Sequence, residues 1–343
     1  MAVSPSLPRA KQTKLFDLQR HWYRITPLHL VLLPASWLFG ALAATRRALY
    51  RHHLFASLKL SVPVIIVGNI SVGGTGKTPL TLALAAQLIA QGKHPLIISR
   101  GYGGSALVAQ AVTPNSTAQQ VGDEPLLMAR RGVCPVWIGR DRVACAQAAL
   151  LVHPECDVIL CDDGLQHYRL QRDVEIVVMD AARKIGNGLL LPAGPLREPL
   201  SRLKNVDAIV LNGGQSSAHQ NTFNMTLSGE IFHNLSEPSQ TATAQDLQSL
   251  RCHAIAGIGN PQRYFDALKM LGLSCVNHAF PDHHDYTADE LNFAECDALL
   301  LTEKDAVKCV TFADARYWVL RVDAQIDPAL IELIMRKIQN NGR

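Results

Sequence analysis

The chain has 343 residues, 48% hydrophobic and 18% charged, with a formal net charge of +4. At roughly 150 residues per domain, this length suggests about two domains. The composition excludes a disordered, collagen-like or coiled-coil protein, and the charge is too mild to argue for nucleic-acid binding over the whole surface.

The excess positive charge gathers at the start. Arg9, Lys11, Lys14, Arg20 and Arg24 stand against a single Asp17, and Arg46, Arg47 and Arg51 follow. Between them, residues 25–45 contain no Lys, Arg, Asp or Glu. As a helix this segment would be about 31 Å long, enough to cross a bilayer core. Pro27 and Pro34 argue against a straight span. Trp22, Tyr23 and Trp37 suit the headgroup level. A cleaved signal peptide, a buried core helix and a membrane anchor are the competing readings. The anchor is preferred, because the basic lead is long for a signal peptide and the later chain needs a cytosolic nucleotide. Residues 1–50 are therefore expected to form a membrane-associated segment.

Residues 62–68 are a β-branched apolar run that reads as a buried strand. Asn69-Ile70-Ser71-Val72-Gly73-Gly74-Thr75-Gly76-Lys77-Thr78 follows, and then a strongly helix-forming stretch that stops at Gly92. Strand, glycine-rich turn, Gly-Lys-Thr and helix are the parts of a P-loop. Gly73, Gly74, Thr75 and Gly76 let backbone amides close on a polyphosphate, Lys77 reaches its outer phosphates, and the Thr78 hydroxyl suits Mg²⁺. Ser71 stands where the motif has its first glycine.

A second run, Cys156 to Asp163, is a buried strand ending in two aspartates, as in a Walker B site whose carboxylate holds Mg²⁺. Gln166 and His167 lie just beyond. Residues 95–99 form a strand ending in the loop Arg100-Gly101-Tyr102-Gly103-Gly104. Asp123, in Gly122-Asp123-Glu124-Pro125, precedes a helix and is well placed to cap it. A strand at 174–179 ends in Asp180, and residues 186–199 form a Pro/Gly-rich loop whose charged members are Arg197 and Glu198. A further strand at 207–211 ends in Asn212-Gly213-Gly214. Alternation of such strands with helical stretches indicates a doubly wound parallel α/β sheet.

Residues 216–250 read as a linker with short strands, and 251–343 as a second, smaller α/β domain following a nucleotide-binding domain at 51–215. The Gly257-Ile258-Gly259 turn lacks the third glycine of a dinucleotide fingerprint. In Asp282-His283-His284-Asp285-Tyr286, adjacent histidines do not share a helix face, so one histidine as base or orienting partner fits better than a metal pair. Thr302-Glu303-Lys304-Asp305 is not a guanine-specificity motif. The eight cysteines form no C-x-x-C pair and read as reduced and structural.

Taken together, VGNISVGGTGKTP, SRGYGG, GDEP, DDGLQH, GNGLLLPAGPLREP, GIGNPQRYF, FPDHHDY and LTEKDAVK, in consistent order from 67 to 308, resemble the tetraacyldisaccharide 4'-kinase family. The resemblance implies transfer of the ATP γ-phosphoryl group to the 4'-hydroxyl of a tetraacylated glucosamine disaccharide 1-phosphate in lipid A biosynthesis. It implies a monomer at the cytoplasmic face of the bacterial inner membrane, with two α/β domains and the site in the cleft between them. By matched motif, Lys77 and Thr78 serve phosphates and Mg²⁺, and Asp162 and Asp163 serve the metal. Asp123 pairs with a histidine, His283 in preference to His284, as the base, and Arg100, Gln166, Arg197 and Glu198 contact substrate. The alternative is a membrane-associated P-loop ATPase of the partitioning or metallochaperone type, whose signature lysine is replaced here by Val72.

Overall fold

The computed structural model describes residues 21–24, 26–214 and 221–341. The basic positions at 9, 11, 14 and 20 lie outside them. A long helix, α1 (Leu28–Arg51), precedes β1 (Val64–Gly68) and α2 (Lys77–Ala90). Next come β2 (Pro95–Ser99), β3 (Gln110–Val112), α3 (Ala118–Val121), α4 (Asp123–Arg131), β4 (Val136–Ile138), α5 (Arg142–Val152), β5 (Val158–Asp162), β6 (Val174–Asp180), β7 (Ala208–Asn212) and β8 (Thr222–Ser228). The chain continues through β9 (Ile231–Asn234), β10 (Thr241–Thr243), α6 (Ala244–Leu247), β11 (Cys252–Ala256), α7 (Pro261–Met270) and β12 (Cys275–Ala279). It ends with β13 (Ala298–Thr302), α8 (Glu303–Cys309), β14 (Tyr317–Leu320), β15 (Asp323–Ile326) and α9 (Pro328–Asn341).

These strands make two sheets. The first is nine-stranded, in the order β15-β8-β7-β6-β1-β5-β2-β4-β3. Its strands from β8 to β4 run parallel, and β15 and β3 close the two edges antiparallel. Every residue of β1, β2 and β5 is buried, as expected of strands covered on both faces. Leu80, Leu84 and Leu88 of α2, Leu126 of α4, and Leu330 and Ile334 of α9 cover one face. Val143, Cys145 and Ala149 of α5 pack on the other, against Ile66, Ile98 and Cys161. In a parallel sheet the carboxyl ends of the strands share one edge. That edge therefore carries the P-loop, Asp162 and Asp163, Asp180 and Asn212 together.

The second sheet is six-stranded, β10-β9-β14-β13-β11-β12, with a parallel core of β14, β13, β11 and β12. Tyr264, Phe265 and Leu268 of α7 cover one of its faces, and Ala306 and Cys309 of α8 the other, beside Tyr286 and Leu291.

Sheet membership departs from the division drawn at 215 and 251. β8 extends the first sheet, β9 and β10 begin the second, and β15 and α9 return to the first. The strands within 221–250 alternate buried with more exposed positions, so they lack the continuous apolar runs that mark the central strands. The C-terminal return is a non-local pairing that no local pattern encodes.

All eight cysteines are free. Burial pushes the thiols of Cys134, Cys145 and Cys309 up to about 12, so they stay protonated and act as small apolar side chains. The helix α1 runs unbroken through Pro34. One side of it docks on the 186–199 loop. There the Ser36 hydroxyl donates to the Leu190 carbonyl at 2.7 Å and accepts from the Ala193 amide at 3.0 Å. Arg47 reaches Glu198 at 3.2 Å. The other side exposes Leu30, Val31, Trp37, Leu38 and Leu42.

Candidate active site

The P-loop turns into α2 at Gly76, whose φ of +97° favours glycine. A Cβ there would lie 2.4 Å from the Asn212 side-chain nitrogen, which donates to the Thr75 carbonyl at 2.9 Å. Asn69 donates to the Thr75 hydroxyl at 3.3 Å and so ties the base of the loop to its crest. Ser71 is accounted for by its backbone. It pairs antiparallel with Leu196, flanked by Val72 N–H to Pro195 O at 2.8 Å and Arg197 N–H to Ile70 O at 2.7 Å. Extended, paired backbone has no need of a glycine there, and the pairing fastens the 186–199 loop to the phosphate loop.

Asp163 follows β5 with φ of +48°, which turns it toward Lys77 Nζ at 3.7 Å and Arg197 Nη1 at 3.2 Å. Burial acts to raise its carboxyl, but Lys77 and Arg197 outweigh burial and hold it below the usual carboxylate range. Asp162 is fully buried. Its Oδ1 accepts from Thr81 at 3.3 Å, and its Oδ2 has no hydrogen-bond partner among the described residues. Burial, with the negative charges of Glu124 and Asp163, pushes Asp162 up to about 7. A cation beside that orphaned oxygen would relieve both conditions, so the residues present fit Mg²⁺. Among the described residues no group of three or more His, Cys, Asp or Glu is placed to hold a metal ion, and a phosphate-bound Mg²⁺ needs none. One or two carboxylates, a P-loop hydroxyl, phosphate oxygens and waters suffice. Asp162 and Thr78 are the candidates.

The Glu124 influence on Asp162 brings α4 to the same centre. Gly122, not Asp123, occupies the cap position of α4, and Asp123 makes no capping hydrogen bond. Its carboxylate is drawn away by partners 160 and more residues downstream. His283 Nδ1 lies 3.0 Å from Asp123 Oδ2, and Lys308 Nζ 3.6 Å from the same oxygen. Burial works to raise Asp123, while the His283 hydrogen bond, Lys308 and Lys304 prevail and keep it ionised below its ordinary value. His284 instead bonds Glu290 at 3.3 Å. Of the two histidines, His283 is the one that meets Asp123. The Tyr102 ring stands 5.2 Å from His283, so the Arg100–Gly104 loop flanks the pair.

The second sheet reaches the phosphate loop directly. A Cβ on Gly259 would fall 2.4 Å from the Gly74 amide nitrogen. Arg183 donates to the Gly259 carbonyl at 2.6 Å, and Arg263 of α7 donates to Asn212 at 2.6 Å. Gly259→Ala should therefore force the two loops apart, at about 1–3 kcal/mol, the usual overpacking cost. The expected readout is weaker ATP binding with an unchanged far-UV spectrum. Unaltered affinity would mean the loops yield freely.

A sequence model described as tetraacyldisaccharide-1-P 4'-kinase (LpxK) matches residues 28–339. The tetraacyldisaccharide 4'-kinase of Methylobacillus flagellatus is 52% identical over 94% of this chain and 95% of its own. That of Dechloromonas aromatica is 50% identical over 94% and 97%. The chain belongs to the tetraacyldisaccharide 4'-kinase family. A solved structure of LpxK from Aquifex aeolicus in complex with ATP superposes with a TM-score of 0.77 at 31% identity, covering 91% of this chain and 99% of that one.

Within this 4'-kinase fold, Lys77, Asp162, Asp163 and Arg197 gather at one point, and Asp123 with His283 at the adjoining one. Gln166 lies 3.5 Å from the Asn69 carbonyl, at the root of the phosphate loop. Arg100 is exposed. Glu198 departs from the expected substrate contact. It is buried, with one oxygen taken by the Tyr168 hydroxyl at 2.6 Å and the other by Arg47, so it fastens α1 to the 186–199 loop. Sequence reasoning did not single out Asn212, Arg183, Arg263, Lys304 or Lys308. Asn212 at a strand end beside two glycines carried a signal. The two lysines sit in a short amphipathic turn that reads as ordinary helix surface.

Proposed function

We propose that this 4'-kinase places the 4'-hydroxyl of a tetraacylated glucosamine disaccharide 1-phosphate between Asp123 and the γ-phosphate of ATP. The observation that supports it most is the meeting of two sets at one sheet edge. One set, Lys77 with Asp163 and Arg197, handles phosphate charge, and the other, Asp123 with His283, handles a proton; Glu124, next to Asp123, acts electrostatically on Asp162. Phosphoryl transfer depends on position and charge stabilisation more than on covalent help. Amides of residues 73–78 and Lys77 hold the triphosphate. Mg²⁺, held by Thr78 and Asp162, would neutralise phosphate charge. Asp123 Oδ2 is engaged by His283 and Lys308, which leaves Oδ1 for the hydroxyl proton as the new O–P bond forms and the bond to the β-phosphate oxygen breaks. Arg100, Gln166 and Arg197 remain the candidates for holding the acceptor.

α1, with mean hydropathy 1.6 in its apolar window, is long and apolar enough to cross a membrane. Its docked side argues for lying on the bilayer. Crossing would strip the Ser36, Trp22 and Arg47 contacts from the 186–199 loop. With ATP on the cytoplasmic side, the helix would rest on the inner leaflet and present Trp37 and Leu38 to lipid.

Incubation with γ-labelled ATP, Mg²⁺ and the disaccharide lipid should move label into a lipid-extractable product. Label released only as inorganic phosphate would favour the ATPase alternative.

A further inference from the structure

We infer that Lys304 locks His283 in its neutral Nδ1–H tautomer and so fixes the hydrogen bond by which His283 orients Asp123. The inference rests on the proposed role of Asp123 as base. The Lys304 ammonium has three N–H donors and no acceptor. It has three neighbours: Asp282 Oδ1 at 2.9 Å, Glu124 Oε1 at 3.3 Å and His283 Nε2 at 3.3 Å. Among the described residues, these three supply an acceptor for each donor when Nε2 carries a lone pair. Nδ1 must then hold the ring proton, and it is Nδ1 that faces Asp123 Oδ2 at 3.0 Å.

The competing states fit less well. A ring protonated at Nε2 alone would turn a lone pair toward the Asp123 carboxylate and an N–H toward a cation. A doubly protonated ring would set its positive charge 3.3 Å from the ammonium. Asp282 does not rescue either state, since it stands 3.9 Å from Nε2 and is already engaged by Lys304. Every element around the ring is accounted for: Asp123 from α4, the Tyr102 ring from the loop after β2, Asp282 from its own loop, and Lys304 from α8. Lys308, also on α8, touches Asp123. Lys304 keeps its charge, because Glu124 and Asp282 outweigh the opposing effect of burial.

In the reaction, the substrate O–H bond breaks as its oxygen joins phosphorus, and the proton goes to Asp123 Oδ1. His283 keeps its own proton throughout, donating to Oδ2. Lys304 is thus a positioning residue acting through His283.

Nitrogen NMR of the full-length chain with ¹⁵N-labelled histidine, near neutral pH and without substrate, tests this. The wild type should show a protonated Nδ1 and a lone-pair Nε2 for His283, identified by its loss in His283→Gln. Lys304→Met should let Nε2 take up a second proton, giving the doubly protonated ring, and lower kcat roughly tenfold or more, a part of the 10²–10⁴-fold that a positioned base supplies, with KM for ATP unchanged. Lys304→Arg, which keeps a cationic donor, should restore the tautomer and much of kcat. An Nε2–H ring in the wild type, or an Nε2 whose protonation is indifferent to Lys304→Met, overturns the inference. If Lys304→Met does not fold, the wild-type spectrum and Lys304→Arg still decide it. A wild-type chain that shows the Nδ1–H form but moves no phosphate to lipid supports the tautomer assignment and sinks the kinase reading instead.

Discussion

Replacing Lys77 with alanine should cost at least about 10³-fold in phosphate transfer, the scale seen when a cation that stabilises a transferring phosphoryl group is withdrawn. Lys77 sits at the first position of α2, where the loop amides and the helix terminus already favour negative charge. Its ammonium is largely buried and lies 3.7 Å from Asp163. Removing it leaves the triphosphate charge opposed by Arg197 alone among the two cations at Asp163. Fold stability should change little, because Asp163 keeps its guanidinium partner. Single-turnover transfer measured beside a thermal melt separates the two effects. Wild-type transfer by Lys77→Ala would remove this loop from the reaction.

Asp123→Ala should lower turnover by roughly 10²–10⁴-fold, the usual worth of a positioned base, with ATP binding nearly intact. The carboxylate touches His283 and Lys308 rather than the phosphate loop, so its loss acts on the acceptor side. Weakened ATP affinity with normal turnover of bound ATP would contradict the assignment. The same group carries a stability consequence. Its carboxyl titrates lower folded than unfolded. The contact between α4 and the second sheet is therefore at full strength above the unfolded value, and fades as acid takes the pH down through the folded one. Asp123→Asn should flatten that acid decline in an unfolding series.

How much of this was legible in the sequence depended on how local each feature is. The phosphate loop declares itself within about a dozen residues, and β1, β2, β5 and β6 do so as apolar runs ending in polar residues. Asp123 shows the opposite case. Locally it looks like a helix cap, and only the partner at 283 gives it another use. His283 over His284 could be preferred from motif resemblance alone, whereas the hydrogen bond that distinguishes them, His283 to Asp123, is tertiary. Glu198 seemed to belong with Arg197 because the two are adjacent. The backbone bends at these two residues and their side chains part, so one meets Asp163 and the other meets Tyr168. The domain division missed β15 and α9 because a returning strand looks like any other strand.

That returning strand has a mechanical consequence. β8 pairs with β15 inside one sheet, and β9 pairs with β14 inside the other. A single two-stranded ribbon thus runs through both, crossing at 229–230 outbound and 321–322 inbound. The crossings touch, since a Cβ on Gly229 would fall 2.1 Å from the Arg321 carbonyl oxygen. Two parallel straps side by side resist twist and sideways shear but bend easily about the line joining them. Any motion between the halves is therefore expected to be a swing that parts Gly259 from Gly74, which are in contact here.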